Sequence, residues 1–150
     1  MKPVIVVGLD TSDYAEQVIE YVVKYIYRPG HHIIALAHFL GTKHIGSHYI
    51  WNHVEIDCRT FCPKGKKKLE DSLAKLENIE KMLNENKVRY IRYFESGSKK
   101  KEDYLWDIAR EIGAQCIVVG ISHLSMLKDL RSHRGYDLSA KSGIPVFIVK

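Results

Sequence analysis

The chain has little cysteine, no long apolar run and none of the common catalytic signatures, and each absence narrows what it can be. Only Cys58, Cys62 and Cys116 occur among 150 residues, and they form no extracellular disulfide framework. No apolar stretch approaches the roughly 20 residues that cross a membrane. The N-terminal MKPVIVVGLD lacks the cleavage pattern of a signal peptide, and its apolar run reads as a strand. The expectation is a cytoplasmic protein with no membrane association. There is no Gly-x-Ser-x-Gly elbow, no Walker loop ending in Lys-Ser or Lys-Thr, and no His-Glu-x-x-His. The dinucleotide glycine fingerprint is missing as well, since Gly8 stands alone after the first apolar run. No acid, base or nucleophile is placed by spacing, so the reading leans away from an enzyme.

What is present is ordinary for a folded domain. A hydrophobic share of 45% and a charged share of 27% allow a real core without a metal or disulfide staple. The formal net charge is +5, and it is unevenly placed. Lys66, Lys67 and Lys68 form one cluster and Lys99, Lys100 and Lys101 another. Each precedes a predicted helix, where the dipole does not favour cations, so solvated lead-in loops are expected. A nucleic-acid partner would use these lysines together with Arg131 to Arg134. No RNA- or DNA-binding motif accompanies them, and that reading ranks last.

Residues 3–9, PVIVVGL, are a continuous β-branched run of the kind found in strands buried on both faces. Asp10, Thr11 and Ser12 offer helix caps. Ala15, Val18, Ile19, Val22 and Ile26 then recur at helical steps, and Pro29-Gly30 ends the helix. Residues 33–39, IIALAHF, predict a second buried strand. From about Lys64, Leu69, Leu73, Leu76, Ile79 and Leu83 mark a long helix, and residues 88–94 a third strand. Leu105, Ile108, Ala109 and Ile112 mark another helix, ended by Gly113. Residues 116–120 and 146–149 predict the last two strands, with a short helix over about 134–142. Alternation of this kind builds a five-stranded, open parallel α/β sheet with helices on both faces in a single domain 1–150, interrupted by a long irregular loop at about 40–65. Ligands of such sheets sit beyond the carboxyl ends of the strands, where the strand order switches. Asp10 to Ser12, His38 to Leu40 and Gly120 to Ser122 reach that edge.

Four segments carry a family resemblance: VIVVGLDTSDYAEQVIEYV, IIALAHF, DIAREIGAQCIVVG and SAKSGIPVFIVK. Together, in this order, they resemble the universal stress protein family over nearly the whole chain except residues 40–65. The resemblance implies a Rossmann-like domain that forms homodimers, often through its last strand, here Val146 to Val149. It implies a stress-response module without a defined reaction. Many members bind ATP or a related adenine nucleotide, and others lack the phosphate signature and bind none. Carried onto this chain, Asp10 with Thr11 and the backbone at His38 and Phe39 would face adenine and ribose. ATP, ADP or AMP would be the cofactor, with no metal beyond a nucleotide-bound Mg.

The family's phosphate signature is Gly, two residues, Gly, nine residues, then Gly with Ser or Thr. Gly120 fills its first place. His123 stands in the second, and His133 with Arg134 in the third; counting back from Pro145 moves that last slot to Ser132 and His133. Neither register restores a glycine, and a side chain at these places crowds a backbone cradle. Yet His123, Lys128, Arg131, His133 and Arg134 gather cations with Ser122, Ser125 and Ser132 nearby. Two readings follow. Side chains rebuild the anion site, or the loop is degenerate, its cations are solvated, and the protein is a dimeric scaffold without nucleotide.

His44 and His48, then Cys58 and Cys62, are spaced four apart and suit zinc chemically. Their spacing matches no established zinc pattern, so they stand as weak metal candidates only. His38, ending a buried strand, reads as a hydrogen-bonded histidine at the rim.

Overall fold

The computed structural model describes residues 2–9, 14–41, 49–51, 63–97, 101–120 and 143–149. The elements run β1 (Val4–Leu9), α1 (Tyr14–Tyr21) with a π-helical continuation (Val22–Ile26), β2 (Ile33–Gly41), β3 (Tyr49–Trp51), α2 (Pro63–Glu85), β4 (Tyr90–Gly97), α3 (Lys101–Glu111), β5 (Cys116–Gly120) and β6 (Val146–Val149). The strand order is β3-β4-β2-β1-β5-β6. The five expected strands β1, β2, β4, β5 and β6 are mutually parallel. A sixth strand, β3, joins β4 antiparallel.

Three expectations need correction. Residues 40–65 are not irregular throughout: β2 runs on to Gly41, residues 49–51 form β3, and α2 has begun by Pro63. The apolar Tyr49, Ile50 and Trp51 find backbone partners in Tyr93, Phe94 and Glu95. Proline suits the first helical position, where its missing N–H would be unpaired anyway. Lys66, Lys67 and Lys68 lie inside α2, not in a loop before it. Lysine has good helix propensity, and these three residues lie beyond the first turn, where the dipole cost falls off. The third expected strand is shifted, beginning at Tyr90 and reaching Gly97.

Side-chain alternation splits the core across the two faces of the sheet. Ile5, Val7, Leu9, Ile34, Leu36, Cys116 and Val118 pack against α1 and α2, through Ala15, Val18, Ile19, Ile79 and Leu83. Val6, Ala35, Ala37, Ile117 and Val119 pack against α3, through Tyr104, Leu105 and Ile108. This two-sided burial explains why β1, β2 and β5 read as unbroken apolar runs. On the α3 face, β1 and β2 carry the small residues Gly8, Ala35 and Ala37. A Cβ added at Gly8 would lie 2.9 Å from Leu105 Cδ1 and 3.0 Å from Val119 Cγ1, so glycine lets α3 settle close to β1. Gly113, at φ 62°, ends α3 in the left-handed conformation.

The π-turn closes with Tyr27 N–H donating to Val22 O at 2.7 Å. The chain then reaches β2 through Arg28 to His32. The Arg28 backbone N–H donates to His32 Nδ1 at 2.9 Å. That bond requires Nδ1 to be bare, so the buried imidazole is neutral with its hydrogen on Nε2. Burial lowers the His32 pKa, and repulsion from His31 and Arg28 adds to this, against a hydrogen bond to Gln115 that raises it.

Two predictions follow from this packing. Gly8→Ala should cost about 1–3 kcal/mol, the usual range for overpacking, and less in a Leu105→Ala background. Urea midpoints for the four proteins check this. The His32 contribution is full above pH 6.5, the value of a free histidine, and is lost as pH falls from there toward the lowered folded value. His32→Asn keeps an acceptor for the Arg28 N–H but cannot titrate. The stability difference between wild type and His32→Asn should therefore shrink or reverse between pH 7 and pH 5.

Candidate functional site

Renumbered by rank, the five parallel strands run 3-2-1-4-5, and the order reverses between β1 and β5. In open α/β sheets such a point, beyond the strand carboxyl ends, is where ligands sit. Three chain segments border it. Leu9, the last residue of β1, is the register partner of His38. Val7 pairs with Val118, so Leu9 and Gly120, each two residues further on, stand level across the switch. His38 pairs in turn with Phe94 of β4.

His38 holds this rim together. It is 3% exposed, and its Nδ1 lies 3.0 Å from the Leu9 carbonyl oxygen. A carbonyl only accepts, so Nδ1 carries the hydrogen and donates it. The ring also lies 5.1 Å, centroid to centroid, from Phe94. The side chain thus fixes the end of β1 immediately before Asp10. The expected hydrogen-bonded histidine is found, and its partner is the strand whose end borders the switch in strand order.

Of the residues singled out in the sequence, the structure brings His38 and Gly120 to one rim with the end of β1. Phe39 continues β2 along the same edge, paired with Glu95. Asp10, Thr11, Ser122, His123, Ser132, His133 and Arg134 lie outside the described residues, as do His44, His48, Cys58 and Cys62. Cys116 sits at the opposite, amino end of β5. It is buried, and burial pushes its thiol pKa up, which suits a packing residue rather than a thiolate nucleophile.

Solved structures share this arrangement. A universal stress protein family member from Burkholderia pseudomallei superposes with a TM-score of 0.65 over 97% of this chain and 94% of its own, at 18% identity. The chain has the universal stress protein fold. A universal stress protein from Archaeoglobus fulgidus, in complex with dAMP, matches at TM-score 0.60 over 100% of this chain and 98% of its own, at 20% identity. One from Arabidopsis thaliana, with AMP bound, matches at 0.62 over 99% and 91%, at 16% identity. No protein-family model and no curated protein matches the sequence. At identities this low, the universal stress protein likeness is one of architecture. The side chains of this chain must carry any statement about its site.

Sequence reasoning missed two elements of the rim. Gly8 was only an isolated glycine, yet it sets the distance from β1 to α3. The partner of His38 was unknown because a contact 29 residues away leaves no local signal. His38→Phe keeps a ring against Phe94 but leaves the buried Leu9 carbonyl without this donor. It should cost about 1–3 kcal/mol, read as a lower urea midpoint at unchanged m.

Proposed function

We propose that this chain is a universal stress protein family member of one domain, a non-enzymatic stress-response module that binds an adenine nucleotide at the carboxyl rim of β1, β2 and β5. The observation that carries this reading is the level meeting of Leu9, His38 and Gly120 at the switch in strand order. The fold neighbours with dAMP, AMP and cAMP support the ligand class. In this reading Asp10 with Thr11, and the backbone at His38 and Phe39, face adenine and ribose. Gly120 opens the phosphate loop, and Ser122, His123, Ser132, His133 and Arg134 replace the backbone cradle with hydroxyls and cations. Arg134 supplies forked hydrogen bonds to phosphate oxygens, which need no glycine. A Mg ion arrives with the nucleotide.

The reading extends to assembly and location. β6 is an edge strand, paired on one side by β5. Among the described residues its other edge has no strand partner, and in this reading that edge, Val146 to Val149, joins a second copy in a homodimer. No helix among the described residues is long and apolar enough to cross a membrane, and the module works in the cytoplasm.

Calorimetric titration with ATP and AMP tests the proposal. One site per chain is expected, with affinity for ATP at least about tenfold weaker in Arg134→Ala, the usual scale for a charge-assisted hydrogen bond. Flat titrations with both nucleotides would leave the ligand-free scaffold as the correct reading.

A further inference from the structure

A second concavity opens at the opposite end of the sheet. The amino ends of β2, β5 and β6 and the end of the π-turn enclose a cleft of about 440 Å³, within the size range of small-molecule sites. Tyr25, Arg28, His31, His32, Gln115 and Phe147 are among the residues that line it. Tyr25 is 63% exposed and Phe147 48%. Large apolar surface left in water at one spot marks an interaction site more often than chance.

The exposed ring of Tyr25 is nevertheless held. Tyr21 packs against it at a tilt, with ring centroids 4.8 Å apart, and Lys24 Nζ lies 5.1 Å from its centroid. An aromatic wall fixed before binding loses little freedom when a ligand arrives. The polar side is also set in advance. His32 spends Nδ1 on the Arg28 backbone, which anchors the loop carrying Arg28 and His31. The ring of His31 packs edge-on against His32 at 4.7 Å. Among the described residues lining the cleft, Arg28 is the one permanent charge and none is acidic. Its guanidinium makes no ion pair with any described carboxylate.

We infer that this amino-end cleft binds a small planar anion, an aromatic ring with one carboxylate bonded directly to it, with the ring against Tyr25 and Phe147 and the charge on Arg28. Guanidinium matches such oxygens with two parallel hydrogen bonds, His31 supplies another donor, and Lys24 adds positive potential at the rim. The site is separate from the carboxyl rim. β1, β2 and β5 lie between the two, so neither depends on the other.

The probe is 2-naphthoate, followed by its fluorescence on titration with the full chain. Saturable binding of one molecule per chain is expected. It should weaken about tenfold or more in Arg28→Gln and in Phe147→Ala, persist in Arg134→Ala, and resist competition by AMP. The neutral analogue 2-naphthalenemethanol should bind at least about tenfold more weakly than the acid. Both substituted residues lie at the surface, and unchanged urea midpoints verify that the variants are folded. Equal binding of acid and alcohol, unchanged binding in Arg28→Gln, or displacement by AMP would each overturn the assignment. Strand pairing along β6 uses its backbone edge and leaves side chains on the sheet faces, so the proposed dimer does not by itself cover Phe147, and absence of saturable binding would overturn the assignment as well.

Discussion

Everything functional here depends on β1 being paired on both sides and covered on both faces. Its backbone is satisfied by β2 and β5, and its side chains Ile5, Val6 and Val7 are wholly buried. Such a strand has one place to meet water and ligands, its ends. The strand order reverses at β1 and β5, and in open α/β sheets ligands sit beyond the carboxyl ends at such a point. Leu9, His38 and Gly120 are brought level there by hydrogen-bond register, which fixes position to within a residue. The Leu9 carbonyl then receives the His38 hydrogen. A rim residue on one strand thereby constrains the end of the next.

The alternation of buried runs and helical stripes made most of the fold legible. Residues 3–9, 33–39 and 116–120 could be assigned to central strands because they have no polar side. Ala15, Val18, Ile19 and Val22 have helical spacing because they meet one face of the sheet. Less legible were the parts set by long-range pairing. Residues 49–51 form an edge strand only because β4 offers them an unpaired side, and nothing in three residues announces that. The continuation of α1 as a π-turn was equally hidden, since Ile26 fits either helical period.

The candidate site was legible to the same depth. Gly120 and His38 could be placed on the rim from topology alone, before any contact was known. The bond between His38 and Leu9 could not, since two strands must first pair in register. The amino-end cleft had no sequence signal at all. Tyr25 with Arg28, Gln115 and Phe147 come from three segments, and only the parallel sheet gathers their ends. Histidines 31 and 32 are neighbours in sequence, yet the structure gives them different work. His32 accepts a backbone hydrogen bond as a buried neutral ring, and His31 lies exposed beside it.

The central claim is that the carboxyl rim of β1, β2 and β5 is where a nucleotide sits. Backbone amide resonances of the labelled chain, followed while AMP is added, test it most directly. The account predicts saturable shifts at Leu9, at His38 to Gly41 and at Gly120, with Ile33, Gln115 and Phe147 unmoved. Shifts confined to the amino end, or a spectrum that AMP leaves unchanged, would contradict it.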